Sequence, residues 1–224
     1  MTDRVTVITG ATGVTGKLAA QTFASRGDSL VLLSRDQSEL DSLARDLNLP
    51  SDRLFTRVVD LLDSQALRDS AAAVEARFGR VHALIHLVGG WTGGKTISET
   101  SVDDFASMLD QHAWTTFHLF QAFVPQLIAN GWGRVITVSL PLTVHPQPKM
   151  SAHAAGKAAQ ESLVLTLAEE TRGTGVTANI LHVTSIDAKG TGKGTSPKEI
   201  VAKMENLFSE EASQVTGMRI ALDK

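Results

Sequence analysis

Apolar residues fall along this chain in two rhythms. Short continuous runs, rich in β-branched side chains and leucine, occur at Val5–Ile8, Leu30–Leu33, Leu54–Val59, Ala83–Val88, Arg134–Ser139 and Thr177–Leu181. Runs without polar alternation predict strands buried on both faces. Between them the apolar positions recur at helical spacing. That spacing predicts helices over Lys17–Arg26, with Leu18, Ala19, Thr22 and Phe23 inward, and over Ser38–Leu47, Ser64–Phe78, Val102–Ile128 and Ala152–Thr171. Ser101-Val102-Asp103-Asp104 reads as a helix cap, and Ser196-Pro197 sets a capping hydroxyl before a first-turn proline. Met218–Leu222, after Gly217, reads as a last strand. Strands alternating with helices predict an α/β fold: a parallel sheet with helices on both faces, doubly wound by right-handed crossovers. At 224 residues, the span 1–224 is long enough to bury a large core as a single domain.

One segment adds chemistry to this pattern. Directly after the first apolar run stands Thr9-Gly10-Ala11-Thr12-Gly13-Val14-Thr15-Gly16, and a helical pattern follows it. A glycine turn between strand and helix lets backbone N–H groups and the helix dipole approach a pyrophosphate, as in Rossmann-like dinucleotide sites. The alternative is a glycine turn that serves packing alone. Ser34-Arg35 ends the second strand, where an arginine suits a ribose 2′-phosphate and an acidic residue suits the free 2′-hydroxyl. Arg35 therefore favours NADP(H) over NAD(H), against the alternative of a solvated loop cation. Asp60, after the third strand, is able to accept from an adenine amino group or to cap a helix. Asp187–Thr195, rich in glycine and lysine, reads as a ligand lid or as a plain mobile loop.

Composition narrows the classes. Forty-two per cent of residues are hydrophobic and the formal charge is −3, with scattered basic residues and no aromatic-basic stripe, which argues against nucleic-acid binding. There is no cysteine, which removes disulfides and thiolate metal sites and fits a reducing compartment, so a cytoplasmic location is expected. A first strand so close to Met1 leaves no room for a signal segment, and no apolar run is of bilayer length. No metal site is expected. There is also no tyrosine.

These residues resemble the short-chain dehydrogenase/reductase family over nearly the whole chain. Leu87-Val88-Gly89-Gly90 stands where that family has an Asn-Asn-Ala-Gly turn, and Gly133-Arg134-Val135-Ile136-Thr137-Val138-Ser139 is similar to the strand leading to its catalytic serine. Gln121-Ala122 and Pro125 fit the family's central helix. His153-Ala154-Ala155-Gly156-Lys157 resembles its Tyr-x-x-x-Lys helix, and Gly175-Val176-Thr177-Ala178-Asn179 the strand after it. Val215-Thr216-Gly217 is similar to its usual ending. Glycines at 10, 13 and 16 are spaced as in the family's extended branch, whereas the length fits its compact branch.

The resemblance implies a dinucleotide site at Gly10, Thr12, Gly13, Val14, Gly16, Ser34, Arg35, Asp60, Leu61, Val88, Gly89 and Lys157, with Lys157 on the nicotinamide ribose. It implies catalytic positions at His153, Lys157 and His112, where the family carries tyrosine, lysine and asparagine, and places Leu140 at the serine. Val183-Thr184 replaces a Pro-Gly pair, and Ala188 a threonine that holds the nicotinamide amide. In the family the tyrosine donates the proton, and without tyrosine that route is closed. His153 is the candidate substitute, as a titrating or neutral donor. Ser139, one residue from the serine position, points to the opposite strand face. His145, in the Pro141–Pro148 loop, is a possible third member of a cluster with His112 and His153. Trp91 is the best pocket candidate among Trp91, Trp114 and Trp132. Two functions follow: an NADP(H)-dependent oxidoreductase acting on a small molecule through a divergent site, or a catalytically inactive sensor or interaction module. The resemblance further implies a homodimer or homotetramer through the central helices and last strand.

Overall fold

The computed structural model describes residues 4–222; of the span expected as one domain, residues 1–3 and 223–224 lie outside the described residues. Seven parallel strands form one sheet in the order β3-β2-β1-β4-β5-β6-β7. They are β1 (Val5–Thr9), β2 (Ser29–Ser34), β3 (Leu54–Val58), β4 (Ala83–His86), β5 (Gly133–Ser139), β6 (Val176–His182) and β7 (Arg219–Ala221). The helices are α1 (Val14–Ser25), α2 (Gln37–Leu47), α3 (Ser64–Phe78), α4 (Val102–Leu109), α5 (Thr115–Ala129), α6 (Ser151–Glu170) and α7 (Pro197–Asn206). The expected doubly wound α/β architecture is observed.

The central strands are buried almost throughout because both faces are covered. One core layer joins Leu67 and Val74 of α3, Leu119 and Phe123 of α5 and Val164 of α6 to Val7, Leu84 and Val135. The other joins Phe23 of α1, Leu40 of α2 and Ile200 and Met204 of α7 to Ile8, Leu32 and Ile85. Each core residue buried this way is worth roughly 1.5–3 kcal/mol of transfer free energy. Ser101 accepts from the Asp104 N–H, and Ser196 and Glu199 form a capping box with Pro197 in the first turn, as their sequence signatures predict.

Three local expectations change. The first helix begins at Val14, not Lys17, so the glycine turn runs straight into it. The helix expected over Val102–Ile128 is interrupted: Asp110–Trp114 forms a π-helical turn between α4 and α5. Such wide turns leave no trace in hydrophobic spacing and recur at functional sites. Asp63, not Asp60, caps α3, accepting from the N–H groups of Gln65 and Ala66, while Asp60 accepts from Leu62 N–H in the preceding turn.

The sheet reverses its winding between β1 and β4, both parallel and in contact through Thr6–Thr9 and Ala83–His86. In open α/β sheets this reversal opens a crevice at the carboxyl ends of the strands. The turns after β1 and β4 touch there: a Cβ on Gly10, at φ +66°, would lie 2.9 Å from the Leu87 carbonyl carbon. At the other end of the sheet Trp132 is a packing residue, with the Arg4 and Arg134 guanidinium groups each 4.2 Å from its ring.

Candidate active site

A cavity of about 590 Å³ opens at the carboxyl ends of β4, β5 and β6. His153 and Lys157 reach it from the first turns of α6, His112 from the π turn, His86 from the end of β4, and Val88 and Gly89 from the turn that follows. α6 comes close because Gly156 lets it: a Cβ there would stand 2.5 Å from the Met108 carbonyl oxygen and 3.1 Å from His112 Cδ2. Residue 156 thus sets how near the His153–Lys157 face lies to the π turn.

Lys157 is buried, and its Nζ donates to the Val138 carbonyl at 2.8 Å and to Gln160 Oε1 at 3.0 Å. Burial lowers its pKa to about 8, partly opposed by the Glu161 charge. Gln160 is held in turn: its Nε2 donates to Thr116 Oγ1, whose hydroxyl donates to the His112 carbonyl at 2.6 Å.

The three histidines are all driven toward the neutral form. Burial first, and then the Lys157 charge, lower His86 and His112 to about 3 and His153 to about 4. His112 donates from Nε2 to the Gly90 carbonyl at 3.1 Å, because a carbonyl only accepts; its Nδ1 is buried without a partner among the described residues. His112 thereby ties the π turn to the turn after β4. His86 accepts at Nδ1 from Thr9 Oγ1 at 2.7 Å and faces Thr115 Oγ1 with Nε2, since the Thr115 hydroxyl already donates to the Gln111 carbonyl. His153 packs edge-on to His112, with ring centroids 5.2 Å apart. Its Nδ1 is sealed without a partner, and no described residue hydrogen-bonds to the ring. An unsatisfied buried N–H costs about 1–3 kcal/mol, so the proton belongs on Nε2, which faces the unsealed side.

Behind the cavity wall lies a buried carboxylate. Glu161 accepts from Ser139 Oγ at 2.5 Å, Thr143 Oγ1 at 2.9 Å, His182 Nε2 at 2.8 Å and Arg219 Nε at 2.6 Å. Burial alone would raise its pKa; those four donors outweigh it and hold the group at about 2. The Ser139 hydroxyl is committed to this network, so it does not serve the cavity.

The structure does not gather every sequence-derived candidate into this cavity. Gly10, Thr12, Gly13, Val14, Gly16, Ser34, Arg35, Asp60 and Leu61 do not line it. They lie along the β1, β2 and β3 ends, where Thr12 and Ser34 share a hydrogen bond at 3.0 Å. His145 is exposed in its loop and does not join the histidines; His86 does. Among the described residues no three potential ligands group to hold a metal. Trp91 lines the cavity, whereas Trp114 sits against Phe117 and His118 on the α5 surface. The Asp187–Thr195 segment is an organised turn: Asp187 accepts from the Thr191 and Gly192 N–H groups, and Ile186 bridges to Thr195.

His86, Gln160, Thr116 and Glu161 escaped the sequence reading. Their signal was an ionisable or amide side chain inside an apolar run: His86 within Ala83–Val88, and Gln160 and Glu161 just past Lys157 on a helix that packs on both sides.

Whether a dinucleotide suits the glycine turn can be asked of each glycine. Gly16 is demanded by the fold, since a Cβ would lie 2.2 Å from the Gly10 oxygen. Gly13 is not: its φ is −72°, and a Cβ would meet only that same oxygen at an ordinary 3.4 Å. Gly13 caps α1 without a side-chain hydrogen bond, and the first turn carries no acidic residue. Arg35 is exposed, and no described residue pairs with it. An uncapped helix start, a glycine the protein itself does not need and an unengaged guanidinium fit a phosphate-bearing ligand.

Known proteins agree with this architecture. Over 188 residues the chain is 30% identical to a (2S)-[(R)-hydroxy(phenyl)methyl]succinyl-CoA dehydrogenase subunit of Thauera aromatica, covering 84% of this chain and 74% of that one. It is 23% identical to a 3-oxoacyl-[acyl-carrier-protein] reductase of Thermotoga maritima over 98% of this chain and 96% of that one. It superposes with a TM-score of 0.89 on the NADPH-bound structure of a short chain oxidoreductase of Pseudomonas aeruginosa PAO1 containing an atypical catalytic centre; the two are 24% identical, over 97% and 94% of the chains. Residues 4–199 match the short chain dehydrogenase family, and with that match this chain belongs to the short chain dehydrogenase family of oxidoreductases.

Proposed function

We propose that this chain is an NADP(H)-dependent oxidoreductase of small molecules with a divergent active site, in which His153 stands in for the missing tyrosine. The observation that carries the reading is the meeting of His153, Lys157 and the Val88-Gly89 turn at one cavity beside the sheet's winding reversal. A bound dinucleotide would supply or take up hydride there. The glycine turn and the α1 N-terminus hold its phosphates, Arg35 reads a 2′-phosphate, Asp60 and Leu61 flank the adenine, and Lys157 binds ribose through its remaining N–H. His153, neutral, presents Nε2–H to the reacting oxygen; positioned donors of this kind contribute about 10²–10⁴-fold. His112 acts through the Gly90 carbonyl it holds and positions rather than reacts.

Calorimetric titration with NADPH and NADH tests the cofactor side. Arg35→Ala removes one charge-assisted contact, so NADPH affinity falls about 10–100-fold while NADH affinity stays unchanged. His153→Phe abolishes NADPH oxidation by a carbonyl substrate, and an unchanged rate would sink the assignment. No helix among the described residues is long and apolar enough to cross a membrane, and we place the protein in the cytoplasm. Val102, Phe105, Trp114 and Phe117 are exposed along α4, the π turn and α5, and a second copy covering them would make a homodimer or, with β7, a homotetramer.

A further inference from the structure

Two buried polar residues stand one step behind the cavity wall. Gln160 is 1% exposed and Thr116 is fully buried, and neither lines the cavity. His153, Lys157 and Gln160 follow one another at i, i+4 and i+7 and so share one stripe of α6. Gln160 Oε1 accepts from Lys157 Nζ at 3.0 Å, Gln160 Nε2 donates to Thr116 Oγ1 at 3.1 Å, and the Thr116 hydroxyl donates to the His112 carbonyl at 2.6 Å. Each link runs one way only. Turning the amide over would set its NH₂ against the Lys157 ammonium, donor against donor, and its oxygen against a hydroxyl whose proton is already committed. The chain ends on His112, whose ring Nε2 holds the Gly90 carbonyl. One residue of the π turn thereby locates both Lys157 and the turn after β4. An apolar side chain would fill the space of Gln160 without desolvating an amide, so its polar ends answer to Lys157 rather than to packing.

We infer that Gln160 and Thr116 are positioning residues for the cofactor, fixing the Lys157 ammonium so that its third N–H is aimed at the nicotinamide ribose. The inference rests on the oxidoreductase reading above. The N–H bonds of an ammonium leave nitrogen at tetrahedral angles, so binding two of them, to Val138 and Gln160, fixes the direction of the third. Without Gln160 the ammonium keeps only the Val138 carbonyl and swings on its flexible stem, and a bound ribose must then stop that motion itself. The link also holds the charge. A hydrogen bond to an ammonium favours the protonated form, in a site where burial opposes it. His86 from β4, His112 from the π turn, and His153 and Glu161 from α6 are the ionisable groups around it; the three imidazoles are neutral, so Glu161 supplies the supporting charge.

The test uses the intact protein and two substitutions outside the cavity lining, Gln160→Leu and Thr116→Val, with Thr116→Ser as the conservative partner. NADPH affinity is measured by calorimetry from about pH 7 to about pH 10, and the Lys157 titration by NMR of the lysine ε-carbons, assigned with Lys157→Met. Gln160→Leu lowers NADPH affinity about tenfold or more at neutral pH. It also moves the Lys157 midpoint, and the pH at which binding weakens, down by about one unit or more, the sign expected when the charged form loses an acceptor. Thr116→Val replaces no atom that touches Lys157, yet lowers affinity about threefold or more and moves the midpoint the same way; Thr116→Ser restores both. Should Gln160→Leu fail to fold, the Thr116 pair decides alone. NADPH affinity and a Lys157 midpoint at wild-type values in Thr116→Val, or a Thr116→Ser that behaves like Thr116→Val, would overturn the inference and leave the oxidoreductase reading intact. A wild type that binds no NADPH would overturn that reading, and this inference with it.

Discussion

Replacing Glu161 by glutamine removes one charge from a fully buried, fourfold hydrogen-bonded carboxylate and leaves its shape almost unchanged. The carboxylate accepts four hydrogen bonds, three at one oxygen and one from Arg219 at the other. An amide accepts at only one end, so its NH₂ must face either Arg219 or the group formed by Ser139, Thr143 and His182. The magnitude follows from linkage. A pKa of about 2 in the fold against 4.5 unfolded corresponds to about 3 kcal/mol of stability from the ionised form at neutral pH. The folded value is the depressed one, so this stability is complete above pH 4.5 and is lost as pH falls toward 2. Urea denaturation of Glu161→Gln against wild type should show a gap of about 3 kcal/mol at pH 7. At about pH 3.5 the gap should be smaller by roughly 1.4 kcal/mol, because the unfolded chain already holds that proton. A gap below about 1 kcal/mol at neutral pH, or one independent of pH, would refute the reasoning. The variant also removes the charge that supports Lys157 protonation, so the Lys157 pKa should drop below its value of about 8.

Three further outcomes follow from the same geometry. Gly16→Ala drives a Cβ into the Gly10 oxygen and should cost about 1–3 kcal/mol in thermal or urea unfolding, whereas Gly13→Ala should leave stability intact and lower NADPH affinity at least about tenfold. Burial holds Lys157 at about 8 against 10.5, so the unfolded chain binds more protons between those values. Stability should therefore rise by about 3 kcal/mol from pH 8 to pH 10.5 while NADPH binding weakens, and Lys157→Met should remove both trends. Gly156→Ala meets the Met108 carbonyl and should cost about 1–3 kcal/mol of stability, with a change in the histidine ring resonances of the proton NMR spectrum as α6 moves off the π turn. Histidine resonances unchanged from wild type would separate α6 position from the site.

What the sequence alone determined is what short-range rules govern. Continuous apolar runs and helical spacing specify buried strands and amphipathic helices within windows of a few residues, and right-handed crossover then leaves few ways to wind them. The glycine turn after Val5–Ile8, the Ser196-Pro197 cap and the Lys157 position were legible because their meaning is carried by neighbours in the chain. The tertiary structure decided everything that depends on which distant residues meet. His86 lies 29 residues from Thr115 and 77 from Thr9, yet hydrogen-bonds or faces both. Gln160 fixes Lys157 only because Thr116, 44 residues away, holds its amide. Glu161 is sealed and held by Arg219, which β7 brings across to it from 58 residues away. The π turn at Asp110–Trp114 changes where His112 points without changing which residues are apolar. Local pattern fixes elements, since backbone preference and burial act residue by residue. A site is a set of desolvated polar contacts between elements, and only the packed sheet and its helices bring those contacts into being.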